Sequence, residues 1–262
     1  MKDFLGQQLQ TIPYFRALLR AVEARFYQEL DFPAPTLDLG CGDGHFASVA
    51  FDRKLEVGVD PWLGPVQEAA QRDVYQMVTA GEGARLPFPD GYFASAVSNS
   101  VLEHIPELDP VLDELNRVLQ EDAVFLFCVP NQRFLPTLSI GRGLDKMGFR
   151  RLGDRYRSFF NRISRHYNCD DFPVWNNRLV RAGFIIEDWW DYFSPQALRV
   201  LEWGHYFGLA SWISKKLTGN WIMVQTAWNL SLTRRMIEKH YDRAPEHDLG
   251  VYTFYVARKQ SE

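Results

Sequence analysis

Three alternating glycines, Gly40, Gly42 and Gly44, follow Asp38 in the stretch LDLGCGDG at 37–44. Glycine has no Cβ and accepts positive φ, so a backbone of this kind can turn sharply and lie against a ligand. An apolar run at 36–39 precedes the glycines, and a helix-compatible run at 45–51 follows. Strand, glycine turn and helix in that order form the setting of a nucleotide-cofactor loop. Asp38 can accept a hydrogen bond from an amino group or hold the loop. A dinucleotide loop would need glycine at position 45, against a pyrophosphate, and the chain has His45 there. Asp60 closes the next stretch that reads as a buried strand, 55–59, about twenty residues after the loop. A carboxylate at that point can accept from both hydroxyls of a ribose. A ligand-free glycine turn is the bland alternative for the loop, and Asp60 weighs against it.

The elements that would position these residues alternate. Helical spacing of Phe15, Leu18, Leu19, Val22, Phe26 and Leu30 predicts an amphipathic helix over 13–30, ended by Pro33 and Pro35. Strands are expected at 36–39, 55–59, 75–79, 93–98 and 124–129, with helices at 45–51, 62–75 and 110–119 and Asp109 as an N-cap. Strands alternating with helices of this length imply βαβ units and a mostly parallel sheet. After Pro130 the rhythm becomes mainly helical, with a helix at 171–181, a strand at 184–193 and a last strand at 251–257. The expected organisation is one α/β domain over 1–262. It comprises a helical N-terminal segment (1–34), a cofactor-binding half (35–131), a mainly helical cap that includes the sixth strand (132–230) and a C-terminal segment (231–262).

Bulk properties narrow the function classes. A hydrophobic content of 46% against 24% charged residues is an ordinary globular balance and argues against disorder. A net charge of −4 gives no general attraction to nucleic acid. Cys41, Cys128 and Cys169 are scattered, and no Cys/His cluster has zinc-ligand spacing, so neither a disulfide framework nor a structural metal is expected. A reducing, cytoplasmic setting is the expectation. The first thirty residues carry charges throughout and read as no signal peptide, and 217–233 is too polar to read as a membrane span.

The chain resembles the class I S-adenosylmethionine-dependent methyltransferases, in particular the small-molecule group related to ubiquinone and menaquinone biosynthesis. The resembling stretches are 37–47 (LDLGCGDGHFA), 57–60 (VGVD), 82–93 (EGARLPFPDGYF), 101–106 (VLEHIP) and 114–119 (ELNRVL), running into the strand before Val129-Pro130-Asn131. The resemblance implies a Rossmann-like α/β fold with a seven-stranded, mostly parallel sheet and one antiparallel strand, expected at 251–257. It implies S-adenosyl-L-methionine as cofactor, with Gly40, Cys41 and Gly42 along its methionine and ribose part. Asp60, with Pro61 after it, would hold the ribose. Glu82 would face the adenine amino group, with Gly83 and Ala84 near the ring, and Ser98 and Asn99 would lie near the sulfonium. Ala94 and Asp122-Ala123 depart from the family's usual Phe-Asp and Gly-Gly turns, away from those contacts. Nucleic-acid amino methylation is disfavoured, because the chain reads Ser98-Asn99-Ser100-Val101 where such enzymes carry an Asn/Asp-Pro-Pro-aromatic run.

Methyl transfer requires a nucleophile in line and water excluded. His104 is the candidate base, since a neutral imidazole suits proton removal near neutral pH; the alternative is a histidine that packs or caps its loop. Glu103 is a substitute base, and His166 and Tyr167 are candidates on the acceptor side. Residues 131–170 hold nine basic against three acidic residues. If 151–165 is helical, Arg151, Arg155, Arg162 and Arg165 share a face. Such a stripe suits a phosphate, a carboxylate or anionic headgroups, or is a solvated face paired with acids. The aromatic stretch Trp189, Trp190, Tyr192, Phe193, Trp203, Tyr206, Phe207, Trp212 and Trp221 reads as a pocket wall, an interfacial hairpin or the cap's own core. The reading is methyl transfer to a small acceptor of amphiphilic or anionic character, with peripheral membrane contact through the cap as a further expectation. A non-catalytic cofactor-binding member of the fold is the alternative.

Overall fold

A computed structural model describes residues 2–207, 227–241 and 246–261. The parts of the aromatic stretch at Trp212 and Trp221 lie outside the described residues. Seven strands form one sheet in the order β3-β2-β1-β4-β5-β7-β6. They are β1 (Thr36–Leu39), β2 (Leu55–Asp60), β3 (Tyr75–Ala80), β4 (Phe93–Asn99), β5 (Leu119–Pro130), β6 (Phe184–Tyr192) and β7 (Tyr252–Lys259). Strand β1 pairs in parallel with β2 and β4, β2 with β3, and β4 with β5. Strand β7 runs antiparallel to β5, as the resemblance implied for 251–257. The helices are α1 (Phe4–Leu9), α2 (Tyr14–Phe26), α3 (His45–Ala50), α4 (Leu63–Gln71), α5 (Asp109–Val118), α6 (Phe134–Thr137), α7 (Ser139–Lys146), α8 (Arg150–Ser164), α9 (Phe172–Arg181), α10 (Pro195–Phe207) and α11 (Ala227–Tyr241).

The chain divides into two compact units. One comprises 29–132, 164–190 and 252–262 and holds most of the sheet. Its central strands are apolar on both faces because helices cover both, which is why 124–129 reads as an unbroken apolar run. Helix α5 buries Val111, Leu112, Leu115 and Val118, one stripe at helical spacing. Trp175 and Leu179 of α9 join the same core as Phe125, Phe127 and Tyr255. Burying a side chain of that size contributes about 2–3 kcal/mol.

The other unit comprises 1–28, 133–163 and 191–251. Helices α2 and α10 cross at Gly204, where an added Cβ would meet Phe15 Cβ at 2.3 Å. His205 lies between the rings of Phe15 and Phe160. Buried Glu202 accepts from Ser139 N (2.6 Å) and Ile140 N (3.1 Å), the first amides of α7, and from Tyr156 Oη (2.6 Å). A carboxylate on those otherwise unsatisfied amides caps the helix from another element. Buried Glu23 of α2 likewise accepts from Tyr192 Oη at 2.9 Å.

Some local expectations shift. Strand β5 begins at Leu119, before the apolar run, because Leu119 pairs with Phe93 across a register irregularity. Asp109 is the first residue of α5, and Leu108 holds the cap position with no side-chain cap. Helix α8 ends at Ser164, and Arg165 is left-handed (φ 57°), so it does not continue the arginine stripe.

Candidate active site

The strand order reverses between β1 and β4, and β1, β2 and β4 end side by side there. In open α/β sheets ligands bind outside the carboxyl ends of the strands at such a reversal. Asp38, Asp60, Ser98 and Asn99 lie in the last two positions of those three strands.

The glycine loop leaves β1 with positive φ at Gly40 (82°), Gly42 (54°) and Gly44 (72°). Gly40 N and Cys41 N both donate to Val59 O, at 2.8 and 3.0 Å, which folds the loop over the end of β2. At Gly40 an added Cβ would meet Val101 Cγ1 at 2.4 Å, so glycine is required there twice, for φ and for space. At Gly42 an added Cβ would meet nothing within 4 Å. The loop is packed on its Gly40 side and open on its Gly42 side.

Asp60 is buried, and its carboxylate is oriented by the backbone. Oδ2 accepts from Gly42 N (3.1 Å) and Oδ1 from Trp62 N (3.0 Å). Each carboxylate oxygen has two acceptor positions, so each retains one. Two further acceptor positions match the two hydroxyls of a ribose. Gly81 N donates to Asp60 O, which brings the turn after β3 alongside. Pro61, Glu82 and Ala84 are exposed on that edge, and Gly83 is partly covered by Val111 and Leu39.

Asp38 holds the loop from beneath. Its Oδ2 accepts from Tyr75 Oη at 2.6 Å, with both groups buried. Burial, and then the Asp38 charge, pushes the Tyr75 phenol far above its ordinary range, so it remains a donor. Burial, with the Asp38 and Asp60 charges behind it, likewise pushes the Cys41 thiol up. Ser98 is fully buried and donates to Leu39 O (2.9 Å), tying β4 to β1, while Asn99 Oδ1 accepts from Cys128 Sγ (3.3 Å). Tyr75 was missed as a site residue, because its partner Asp38 lies 37 positions earlier in the chain.

A second pair was also not legible. Arg117 donates to both oxygens of Glu114, to Phe88 O, to Leu86 O and to Asp90 Oδ1, and Leu86 N donates to Glu114 Oε1. The ELNRVL stretch therefore clamps the LPFPDG loop, which follows the Glu82–Ala84 edge.

His104 sits at the end of a 3₁₀ turn, Leu102–His104. Its side chain is 43% exposed, while that of Glu103 is 2% exposed. His104 Nδ1 lies 3.0 Å from Arg165 O, and Nε2 lies 3.8 Å from Glu103 Oε1. A carbonyl can only accept, so Nδ1 carries a proton and Nε2 faces the carboxylate. The turn at 165–168 brings His166 beside it, with ring centroids 5.3 Å apart. That turn is pinned: Tyr167 N and Asn168 N donate to Glu103 O, and Asn168 Nδ2 donates to Leu102 O and Ile105 O. Tyr167 itself points to solvent. Sequence spacing gave no sign that residues 103 and 166 meet.

Residues 37–127 match the family described as the methyltransferase domain. A Mycolicibacterium smegmatis protein described as a probable S-adenosylmethionine-dependent methyltransferase is 28% identical over 64% of this chain and 59% of its own length. The malonyl-[acyl-carrier protein] O-methyltransferase of Geobacter sulfurreducens is 30% identical over 44% of this chain and 45% of its own. The chain thus spans roughly half the length of these relatives. Among solved structures, an S-adenosylmethionine-dependent methyltransferase of Thermotoga maritima superposes with a TM-score of 0.56 over 94% of this chain and 91% of its own, at 15% identity, which speaks for the fold. Residues 37–127 thus match a methyltransferase domain, and the cofactor of S-adenosylmethionine-dependent methyltransferases is S-adenosyl-L-methionine.

Proposed function

We propose that this protein transfers a methyl group from S-adenosyl-L-methionine to a small acceptor of amphiphilic or anionic character. One observation carries the reading. The Asp60 carboxylate is aimed by two backbone amides, keeps one acceptor position on each oxygen, and stands beside the open Gly42 side of the loop. Bound there, the cofactor supplies a sulfonium methyl that is already electrophilic. The chain's own work is to hold it, admit one acceptor and keep water out. Asp60 and Pro61 serve the ribose, Gly40, Cys41 and Gly42 the neighbouring chain, and Glu82, Gly83 and Ala84 the adenine edge. Ser98 and Asn99 close the sulfonium end, Ser98 through the backbone it fixes. His104 activates the acceptor. The ordered motifs over 35–131 favour the small-molecule group of the class.

The test incubates the protein with S-adenosyl-L-methionine and acceptor panels and follows S-adenosylhomocysteine by mass spectrometry. Turnover that His104→Ala lowers at least about tenfold, the lower range of acid–base contributions, supports the reading. Cofactor binding without turnover on any acceptor class leaves a non-catalytic binder.

Helix α8 favours a lipid-like acceptor or a membrane-surface location. Gly153, Arg157 and Phe160 face inward, with Arg157 paired to Asp145 and Asp154. Leu152 (49% exposed), Phe159 (47%) and Ile163 (43%) face outward, with exposed Arg151, Arg155 and Arg162 between and beside them. Apolar side chains flanked by guanidinium groups suit an anionic headgroup layer. Among the described residues no helix is long and apolar enough to cross a membrane.

A further inference from the structure

We propose that Glu103, His104 and His166 bind a divalent first-row transition metal ion of the zinc type. Each offers one ligand atom, and the three atoms lie within 4.8 Å of one another. The donors are two imidazoles and a carboxylate, the set that borderline ions such as Zn²⁺ prefer over the oxygen-only sets of Mg²⁺ and Ca²⁺.

Orientation is the stronger argument. His104 Nδ1 lies 3.0 Å from Arg165 O, which can only accept, so the ring is set with Nε2 turned toward Glu103 Oε1, 3.8 Å away. A backbone carbonyl fixing the far nitrogen is also how metal-bound histidines are held in one tautomer. The frame is built before any ion arrives. Tyr167 N (2.7 Å) and Asn168 N (3.3 Å) donate to Glu103 O. Asn168 Nδ2 donates to Leu102 O (3.0 Å) and Ile105 O (2.8 Å), and Arg178 in turn donates to Asn168 Oδ1. These bonds lock the turn that carries His166 onto the turn that carries the other two ligands. With ligand bonds of about 2.1 Å, two ligand atoms lie at most about 4.2 Å apart, so the widest pair closes by about half an ångström on binding.

Three protein ligands leave a coordination position open, the pattern of catalytic rather than structural zinc. His104 is partly exposed, so that position is reachable. The ion's use rests on the methyl-transfer reading: an acceptor oxygen or nitrogen on the open position would be oriented, and its proton made more acidic. His104 would then activate the acceptor through the ion. The binding itself needs no cofactor.

The experiment uses the full chain without a polyhistidine tag, stripped with chelator and titrated with Co²⁺ while visible d–d absorption is recorded. The expected result is one ion per chain, displaced by Zn²⁺, with affinity reduced at least about tenfold in both His104→Ala and His166→Ala, each checked for an unchanged circular dichroism spectrum. Absence of the bands, or binding that neither histidine variant weakens, overturns the proposal. S-adenosylhomocysteine binding is measured on the same samples. Retained cofactor binding without cobalt sinks the metal alone, and cobalt binding without cofactor binding sinks the methyl-transfer reading alone.

Discussion

Asp60 is worth most where it still has acceptor positions to give. Its two engaged positions orient it, and the remaining two are the ones a ribose would use. A hydrogen bond to a charged group is worth about 1.5–3 kcal/mol, so Asp60→Ala is expected to weaken S-adenosylhomocysteine binding about tenfold to about 150-fold. Gly40→Ala acts differently. It forces a Cβ onto Val101 and a side chain into positive φ, so it should lower thermal stability as well as cofactor affinity. Tyr75→Phe takes a donor from the buried Asp38 carboxyl and should cost about 1–3 kcal/mol in denaturant unfolding; an unchanged midpoint would contradict the loop-holding role. At this scale the sequence was informative where residues are neighbours in the chain. Glycine spacing and the acid that ends β2 were readable. The Tyr75–Asp38 bond and the meeting of His104 with His166 were not, because both depend on which strand or turn lies beside which.

At the scale of elements, β5 and α5 were legible from unbroken apolar runs and a helical stripe. The start of β5 was not, since Gln120, Glu121 and Asp122 are exposed and look like a turn. Nor was the clamp of α5 on the LPFPDG loop. Hydrogen bonds from Arg117 hold the Glu114 carboxyl below its ordinary value. A depressed carboxyl adds stability above its unfolded pKa of about 4.3 and loses it as pH falls through the folded value. Glu114→Gln should therefore lower stability near neutral pH and flatten its decline below about pH 4.3, read as thermal midpoint against pH. Helix α8 makes its own prediction. The pair Leu152→Ser and Phe159→Ser should abolish flotation with phosphatidylglycerol vesicles and leave the thermal midpoint unchanged, since both side chains are exposed. Wild-type protein that fails to float at low salt would remove the membrane reading.

For the whole molecule, the fold class was readable because strand, loop and helix motifs of the sheet unit follow one another along the chain. The second unit was not readable as a unit. It joins α2 to α11 through Arg25 with Tyr241 O, 216 positions apart, and to the end of β6 through Glu23 with Tyr192. Its core carries a pH dependence. Burial lowers the His205 pKa, so the folded state keeps the ring neutral while the unfolded chain protonates it near pH 6.5. Stability from this group is present above about pH 6.5 and is lost as pH falls toward the folded value. His205→Leu should flatten that slope.

Binding of the cofactor at Asp60 is the claim on which the rest depends. Isothermal titration calorimetry with S-adenosylhomocysteine tests it most directly. The account predicts one site per chain with a dissociation constant on the order of micromolar (about −8 kcal/mol), weakened at least about tenfold by Asp60→Ala while the fold is unchanged. No heat of binding in the wild-type protein, or equal affinity in the two proteins, would contradict it.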